Sequence, residues 1–375
     1  MAPTMIITND FPPTVGGIEG FVADLCTLLD EDVVVLTRRT AGWRDHDRQL
    51  GYPVIRKGSL LLPTPRVADR AVNLIKEFGV SRVIFGAMAP LALLAPRLRA
   101  AGVRNLLAIS HGHESWWAAL PGSSALLHRM ADAVDHVSAI SDYTRSRIAP
   151  ALSPTARDRL IRIAPPIDLD RFRSADDHGS GGPPTVIAVG RMVRQKGFDT
   201  LLQAWALCTA DDGVDHGVGP DARLVLVGDG PQQTALRRQC RQLGLASSVH
   251  FVGRVSRDLI PELLQQADVF ALPVRTRFAG LNPEGLGLGF LEAAATGLPV
   301  IVGRSGGAPE TVIDGRTGYV VESDDPRAVA DRLNQLLADP VRAAAMGKAG
   351  RDHVAEHYRA AVVRATLRAT LGLDA

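Results

Sequence analysis

The chain has 375 residues, more than one compact core usually organises, and its 46% hydrophobic and 22% charged residues suit a globular protein of two ordinary domains. Forty-two basic against forty acidic side chains leave a formal charge of +2, too little for a general polyanion binder. With only 5% aromatic residues there is also little to stack on single-stranded nucleic acid. The charge is uneven, however: residues 38–82 carry ten Lys/Arg and four Asp/Glu.

Cys26, Cys208 and Cys240 lie far apart and form no C-x-x-C pair, so they read as reduced thiols of a cytosolic protein. The chain opens directly on the strand-like residues 5–8, and no run of about 18 apolar residues follows. Neither a signal peptide nor a spanning segment is expected. Any membrane contact would be peripheral.

In chain order, short β-branched runs at residues 5–8, 33–37, 83–85, 106–110 and 136–140 alternate with segments of helical period. The first such helix is set by Ile18, Phe21, Val22, Leu25, Leu28 and Leu29, which share one face. Alternation of this kind predicts α/β architecture with parallel sheets covered on both sides. The polar, Gly/Pro-rich residues 175–184 read as a linker, and residues 211–220 as a surface loop. The same grammar resumes at residues 185–189, 223–227, 250–252, 269–272, 299–302 and 319–321. Two doubly wound, Rossmann-like domains are therefore predicted, residues 1–168 and 169–355, with a helical segment, 356–375, packing back on the first. Ligands of such sheets bind at the carboxyl ends of the strands, so two domains facing each other predict an interdomain cleft.

Four loops at those strand ends carry candidate chemistry. Gly16 and Gly17 stand just before the first helix, where backbone N–H groups and the helix dipole can meet a phosphate; the plain alternative is a tight turn. Arg191 and Lys196, flanked by Gly190 and Gly197, can converge on one diphosphate, or form an ordinary basic turn. In Glu284-x7-Glu292, Pro283 predicts a helix start and Gly297 its stop. Eight helical residues span about 12 Å. That is too far for a glycosidase carboxylate pair at about 5 Å. The two glutamates suit opposite ends of an extended ligand, with backbone N–H groups of Gly285, Leu286, Gly287 and Leu288 between them for phosphates. His111, ending the run 106–110, can donate a hydrogen bond to a sugar or accept a proton, with His113 as a rival. The H-x-H spacing lacks the further ligands of a zinc site, so no metal centre is expected.

Pro12-Pro13-Thr14-Val15-Gly16-Gly17-Ile18-Glu19, Gly190-Arg191 with Gln195-Lys196-Gly197, Glu284-x7-Glu292 and Ser305-Gly306-Gly307-Ala308-Pro309-Glu310 together resemble the family 4 retaining glycosyltransferases of GT-B fold. The stretch from His111 to Trp117, with Phe85-Gly86-Ala87-Met88-Ala89-Pro90-Leu91, is most similar to the actinobacterial phosphatidylinositol mannoside mannosyltransferases that add the second mannose. The resemblance implies GDP-mannose as donor, a glycolipid acceptor and no required cofactor, with dependence on a divalent metal left open. It implies that Gly16 and Gly17 approach the donor phosphate, Arg191 and Lys196 hold the diphosphate, Glu284 the hexose, Glu292 the ribose, and Val255 and Ser256 the base. His111 would lie by the sugar, with His113 towards the acceptor, and Trp116 and Trp117 would line an acceptor groove or merely pack. Lys57, Leu60, Leu61, Leu62, Arg66 and Arg70 combine apolar and cationic side chains, as a segment resting on the anionic inner face of the cell membrane would; the plain alternative is a loop and helix with an ordinary solvated face. A UDP-sugar with a soluble acceptor, and a sugar-nucleotide epimerase, are the competing readings.

Overall fold

Aliphatic and β-branched runs too short to make helices become buried strands once Gly, Pro and Asp end them. The computed structural model describes residues 2–30, 32–112, 114–119, 121–174, 182–210, 218–219, 221–277 and 282–374, apart from the side chains of Ser115, Trp116, Ala119 and Pro121. Most of the predicted linker and of the 211–220 loop lie outside these residues.

The chain divides into two compact units, one of Met1–Pro166 with Ala360–Ala375, the other of Ile167–Arg359. The strands of the first are β1 (Thr4–Ile7), β2 (Val33–Thr37), β3 (Val54–Arg56), β4 (Arg82–Phe85), β5 (Asn105–Ser110), β6 (His136–Ala139) and β7 (Leu160–Arg162). Their order is β3-β2-β1-β4-β5-β6-β7, and all their pairings are parallel. Thr4 aligns with Val33 on one side and with Arg82 on the other, so the strand order reverses between β1 and β4. Every residue of β1 and β2 is buried, as expected of central parallel strands covered on both faces. The helix Ala360–Thr370 belongs to this unit. Asn105 Nδ2 donates to the Thr370 carbonyl at 3.0 Å, and Arg82 Nε to that of Leu371 at 3.0 Å.

The second unit holds β8 (Thr185–Val189), β9 (Arg223–Val227), β10 (Val249–Gly253), β11 (Val269–Leu272), β12 (Val300–Gly303) and β13 (Gly318–Val321). Their order is β10-β9-β8-β11-β12-β13, again parallel, with the reversal between β8 and β11. Each unit thus has one topological switch point, where diverging connections open a crevice at the strands' carboxyl ends. The loops at these points are those after β1 and β4 in the first unit, and after β8 and β11 in the second.

Two strands, β3 and β7, escaped the sequence reading. Each has three residues and lies at a sheet edge, too short for a period of two to show. The helix predicted to start at Pro283 begins instead at Leu288. Gly287 caps it with φ +93°, a conformation that ends any helix arriving from the N-terminal side.

Candidate functional site

In the second unit, β8 runs out at Val189 and the chain crosses the switch point as residues 190–197. A short 3-10 turn, Arg194–Lys196, precedes Gly197 at φ +73°. A Cβ at Gly197 would collide with the Pro273 carbonyl oxygen, so glycine alone lets this loop rest on the segment following β11. Lys196 Nζ lies 3.0 Å from both carboxylate oxygens of Glu284, and the two side chains are 23% and 13% exposed. At such partial exposure the pair itself is worth about 1 kcal/mol at most. Its consequence is geometric: an ammonium and a carboxylate with remaining solvent access share one point. Gln195 Nε2 donates to the Pro283 carbonyl at 2.9 Å, fastening the same two segments again. The Glu284 backbone is gripped by the turn after β12, donating to Ser305 Oγ at 3.3 Å and accepting from the Gly307 N–H at 2.9 Å. Arg191, in the same loop, is exposed, and its guanidinium has no hydrogen bond or ion pair among the described residues.

Glu292 lies inside the helix Leu288–Ala295, and Arg257 Nη2 stands 3.5 Å from its Oε1. Burial pushes the Glu292 carboxyl above its ordinary range; Arg257, and beyond it Arg171, draw it back only in part. Val255 is half-buried, and Ser256 Oγ accepts from the Asp258 N–H at 3.4 Å, capping the turn Arg257–Leu259.

In the first unit, Gly16 caps the helix Gly17–Leu28 from an extended conformation. The position where Gly17 would carry a Cβ faces open space, so nothing in the fold demands glycine there. The Glu19 carboxylate folds back over Gly16. Burial raises its pKa, a backbone hydrogen bond opposes this, Asp10 adds to it and Arg38 opposes it. The preceding loop is anchored by Arg56, whose Nη2 donates to the Pro12 carbonyl at 2.5 Å and to Asp47 at 2.9 Å. At the end of β5, His111 is buried with Nε2 2.5 Å from the Gly86 carbonyl, and Phe21 meets its ring edge-on at 5.8 Å. Glu114 Oε2 accepts from Ser110 Oγ at 2.9 Å and from the His111 N–H at 3.1 Å, fixing the turn. The end of β5, the Gly86 carbonyl just after β4 and Phe21 of the helix Gly17–Leu28 therefore meet around His111.

Residues 15–171 match the model of Glycosyltransferase Family 4, and residues 170–353 that of Glycosyl transferases group 1. The GDP-mannose-dependent alpha-(1-6)-phosphatidylinositol monomannoside mannosyltransferase of Mycolicibacterium smegmatis is 42% identical over 371 residues, 95% of this chain and 94% of that protein. The chain belongs to the family 4 glycosyltransferases. The protein of the same description from Mycobacterium tuberculosis is 43% identical over 375 residues, 96% of this chain and 95% of that one. Among solved structures, Anabaena Alr3699/HepE in complex with UDP superposes with a TM-score of 0.83 at 19% identity, over 99% of both chains. That likeness carries the fold, two parallel-sheet α/β units of GT-B architecture.

Several expectations for this glycosyltransferase need correction. The 12 Å helical spacing of Glu284 and Glu292 does not apply, because Glu284 precedes the helix. His111 places its Nε2–H on the Gly86 carbonyl, since a carbonyl can only accept. Leu61, expected to face lipid, is 1% exposed: Asn9 donates to its carbonyl at 3.0 Å and accepts from its N–H at 2.7 Å. Its neighbours Leu60 and Leu62 are the exposed ones, at 56% and 47%. Of the other basic residues there, Arg66 is exposed, Lys57 and Arg70 half-buried, and Lys57 Nζ donates to the Arg66 carbonyl at 3.1 Å. Trp117 is half-buried and packs against the first unit's core. His113 and the Trp116 side chain lie outside the described residues. Among the described residues no helix is long and apolar enough to cross a membrane.

Arg257, Glu114 and Arg275 were missed in the sequence. Their only local signal is a charged residue at the end of an apolar strand, which is common on any surface.

Proposed function

We propose that the chain transfers mannose from GDP-mannose to a phosphatidylinositol mannoside, adding the second mannose with retention of configuration and releasing GDP. The observation that carries this reading is the 42% and 43% identity, over nearly full length, to relatives described by that donor and acceptor. The local geometry supports it: a cation and a carboxylate meet at the switch point where a sugar diphosphate is expected.

In this reading Arg191 and Lys196 neutralise the diphosphate, Glu284 takes hexose hydroxyls, Glu292 the ribose, and Val255 and Ser256 the base. Backbone N–H groups of residues 285–288 and of Gly16 and Gly17 serve the phosphates. His111 meets the sugar through Nδ1 or its main chain. The acceptor hydroxyl attacks the anomeric carbon on the face the diphosphate leaves. The C–O bond to phosphate breaks with its electron pair on the phosphate oxygen, and that oxygen takes the hydroxyl proton. No protein nucleophile is needed. Because charge grows on the leaving oxygen, the two cations act chiefly in the transition state. With that neutralisation supplied by side chains, turnover should survive a chelator of divalent ions; its loss would assign a metal to the diphosphate.

The exposed Leu60 and Leu62 beside Arg66 and Lys57 support peripheral contact with an anionic membrane on the cytoplasmic side. The function is tested by supplying GDP-mannose or UDP-sugars with vesicles holding phosphatidylinositol monomannoside. One added hexose on the lipid with GDP-mannose alone is the expected result. Turnover of a UDP-sugar, with or without acceptor, would defeat it.

A further inference from the structure

Arg275 follows β11 by three residues and is 5% exposed, yet it carries a full charge inside the second unit. Burial works against that charge, and the hydrogen bonds it donates to Asp199 and Asp324 more than restore it. Its contacts converge on the loop that bears Arg191 and Lys196. The Arg275 N–H donates to the Gln195 carbonyl at 2.8 Å and Nε to the Arg194 carbonyl at 2.8 Å. Both are carbonyls of the 3-10 turn Arg194–Lys196, which left-handed Gly197 separates from the helix that follows. Nη1 donates to Thr200 Oγ1 at 3.1 Å and to Asp324 Oδ1 at 2.8 Å, and Nη2 bonds Asp199. Asp199 and Thr200 belong to the helix Phe198–Cys208 directly after the loop, and Asp324 to the connection after β13. One guanidinium thus fastens the turn, the next helix and a third segment.

The opposite side of the turn is held by Gln195 on Pro283 and by Lys196 on Glu284. Lys196 has a long, flexible stem and would sample many rotamers on a loose loop. We propose that Arg275 is a positioning residue for donor binding, setting the backbone of residues 194–197 so that Lys196 stands at Glu284 and at the diphosphate. The proposal rests on the function given above for its ligand, a nucleoside diphosphate. Lysine keeps the main-chain bond to Gln195 but cannot replace the guanidinium, because one ammonium cannot span a carbonyl, a hydroxyl and two carboxylates.

The test is a double-mutant cycle of Arg275→Lys with Lys196→Ala, read by GDP titration calorimetry and by kcat. Val329→Ala, in the buried core of the same unit, serves as a control chosen for a similar loss of melting temperature. Arg275→Lys should weaken GDP binding roughly tenfold or more while the control leaves it unchanged, and the double variant should lose clearly less than the product of the two single losses. Losses that multiply, or wild-type affinity in Arg275→Lys, would overturn the positioning role. If Arg275→Lys does not fold, Asp324→Asn, at a carboxylate 72% exposed, is read in the same cycle and must show the same coupling. Should the wild type bind UDP and not GDP, the function above falls. The cycle read with UDP still decides the role of Arg275 by the same two outcomes.

Discussion

Lys196 and Glu284 make the sharpest claim at the scale of single residues. If Lys196 stabilises charge that grows only as the diphosphate leaves, Lys196→Ala should lower kcat roughly 30- to 1,000-fold, a loss of about 2 to 4 kcal/mol, without lowering the melting temperature. The pair contributes too little to the fold for its loss to appear there. Gly17 separates ligand from fold in the same way. With open space where its Cβ would stand, Gly17→Ala should melt as the wild type does yet bind GDP-mannose more weakly; unchanged binding would take the phosphate away from this loop. Glu292 adds a dependence on pH. Its carboxyl is raised by burial, so the folded protein holds the proton more tightly than the unfolded chain and loses stability as pH rises through the raised value. Glu292→Gln should therefore be the more stable protein at neutral pH, with the advantage vanishing in acid. Its GDP affinity should fall about tenfold for the lost charged acceptor. Thermal melts from pH 4 to 8 check the first, and titration with GDP the second.

At the scale of elements, the loops at the two switch points depend on backbone geometry that side-chain patterns reveal unevenly. The first helix was readable because six apolar residues repeat at helical spacing, and the central strands because all their residues are buried. The run from Pro283 to Glu292 misled because Pro283 signals a helix start, whereas Gly287 in a left-handed conformation delays it to Leu288. The clamp on the 190–197 loop was invisible for another reason. Arg275 reaches Arg194, Asp199, Thr200 and Asp324, partners 81, 76, 75 and 49 residues away, and no local pattern records such contacts. Leu61 reads as a lipid-facing leucine until Asn9, 52 residues earlier, is seen to hold its backbone. Gly197→Ala tests the loop as an element. Its positive φ and the Pro273 carbonyl leave no room for a methyl group, so the substitution should cost at least about 1 to 2 kcal/mol of stability and most GDP binding. A fully active alanine variant would show that the loop does not need this path.

For the whole molecule, the alternation of strand and helix was enough to predict two doubly wound sheets, while the edge strands β3 and β7 required the three-dimensional structure; the last helix, expected to pack back on the first domain, is part of the first unit. That helix, with Leu371 just after it, covers the first unit through Val363, Leu367 and Leu371 and pairs Arg364 with Asp30 at 2.7 Å. Truncation after Arg359 should therefore lower the melting of the first unit and leave that of the second in place, separating one calorimetric transition into two. The proposed activity is decided most directly by the product itself. Incubation of the protein with GDP-mannose and phosphatidylinositol monomannoside, followed by NMR of the lipid, should show one new mannose in the α configuration of the donor. A β linkage, or free mannose with an unchanged lipid, would contradict the account.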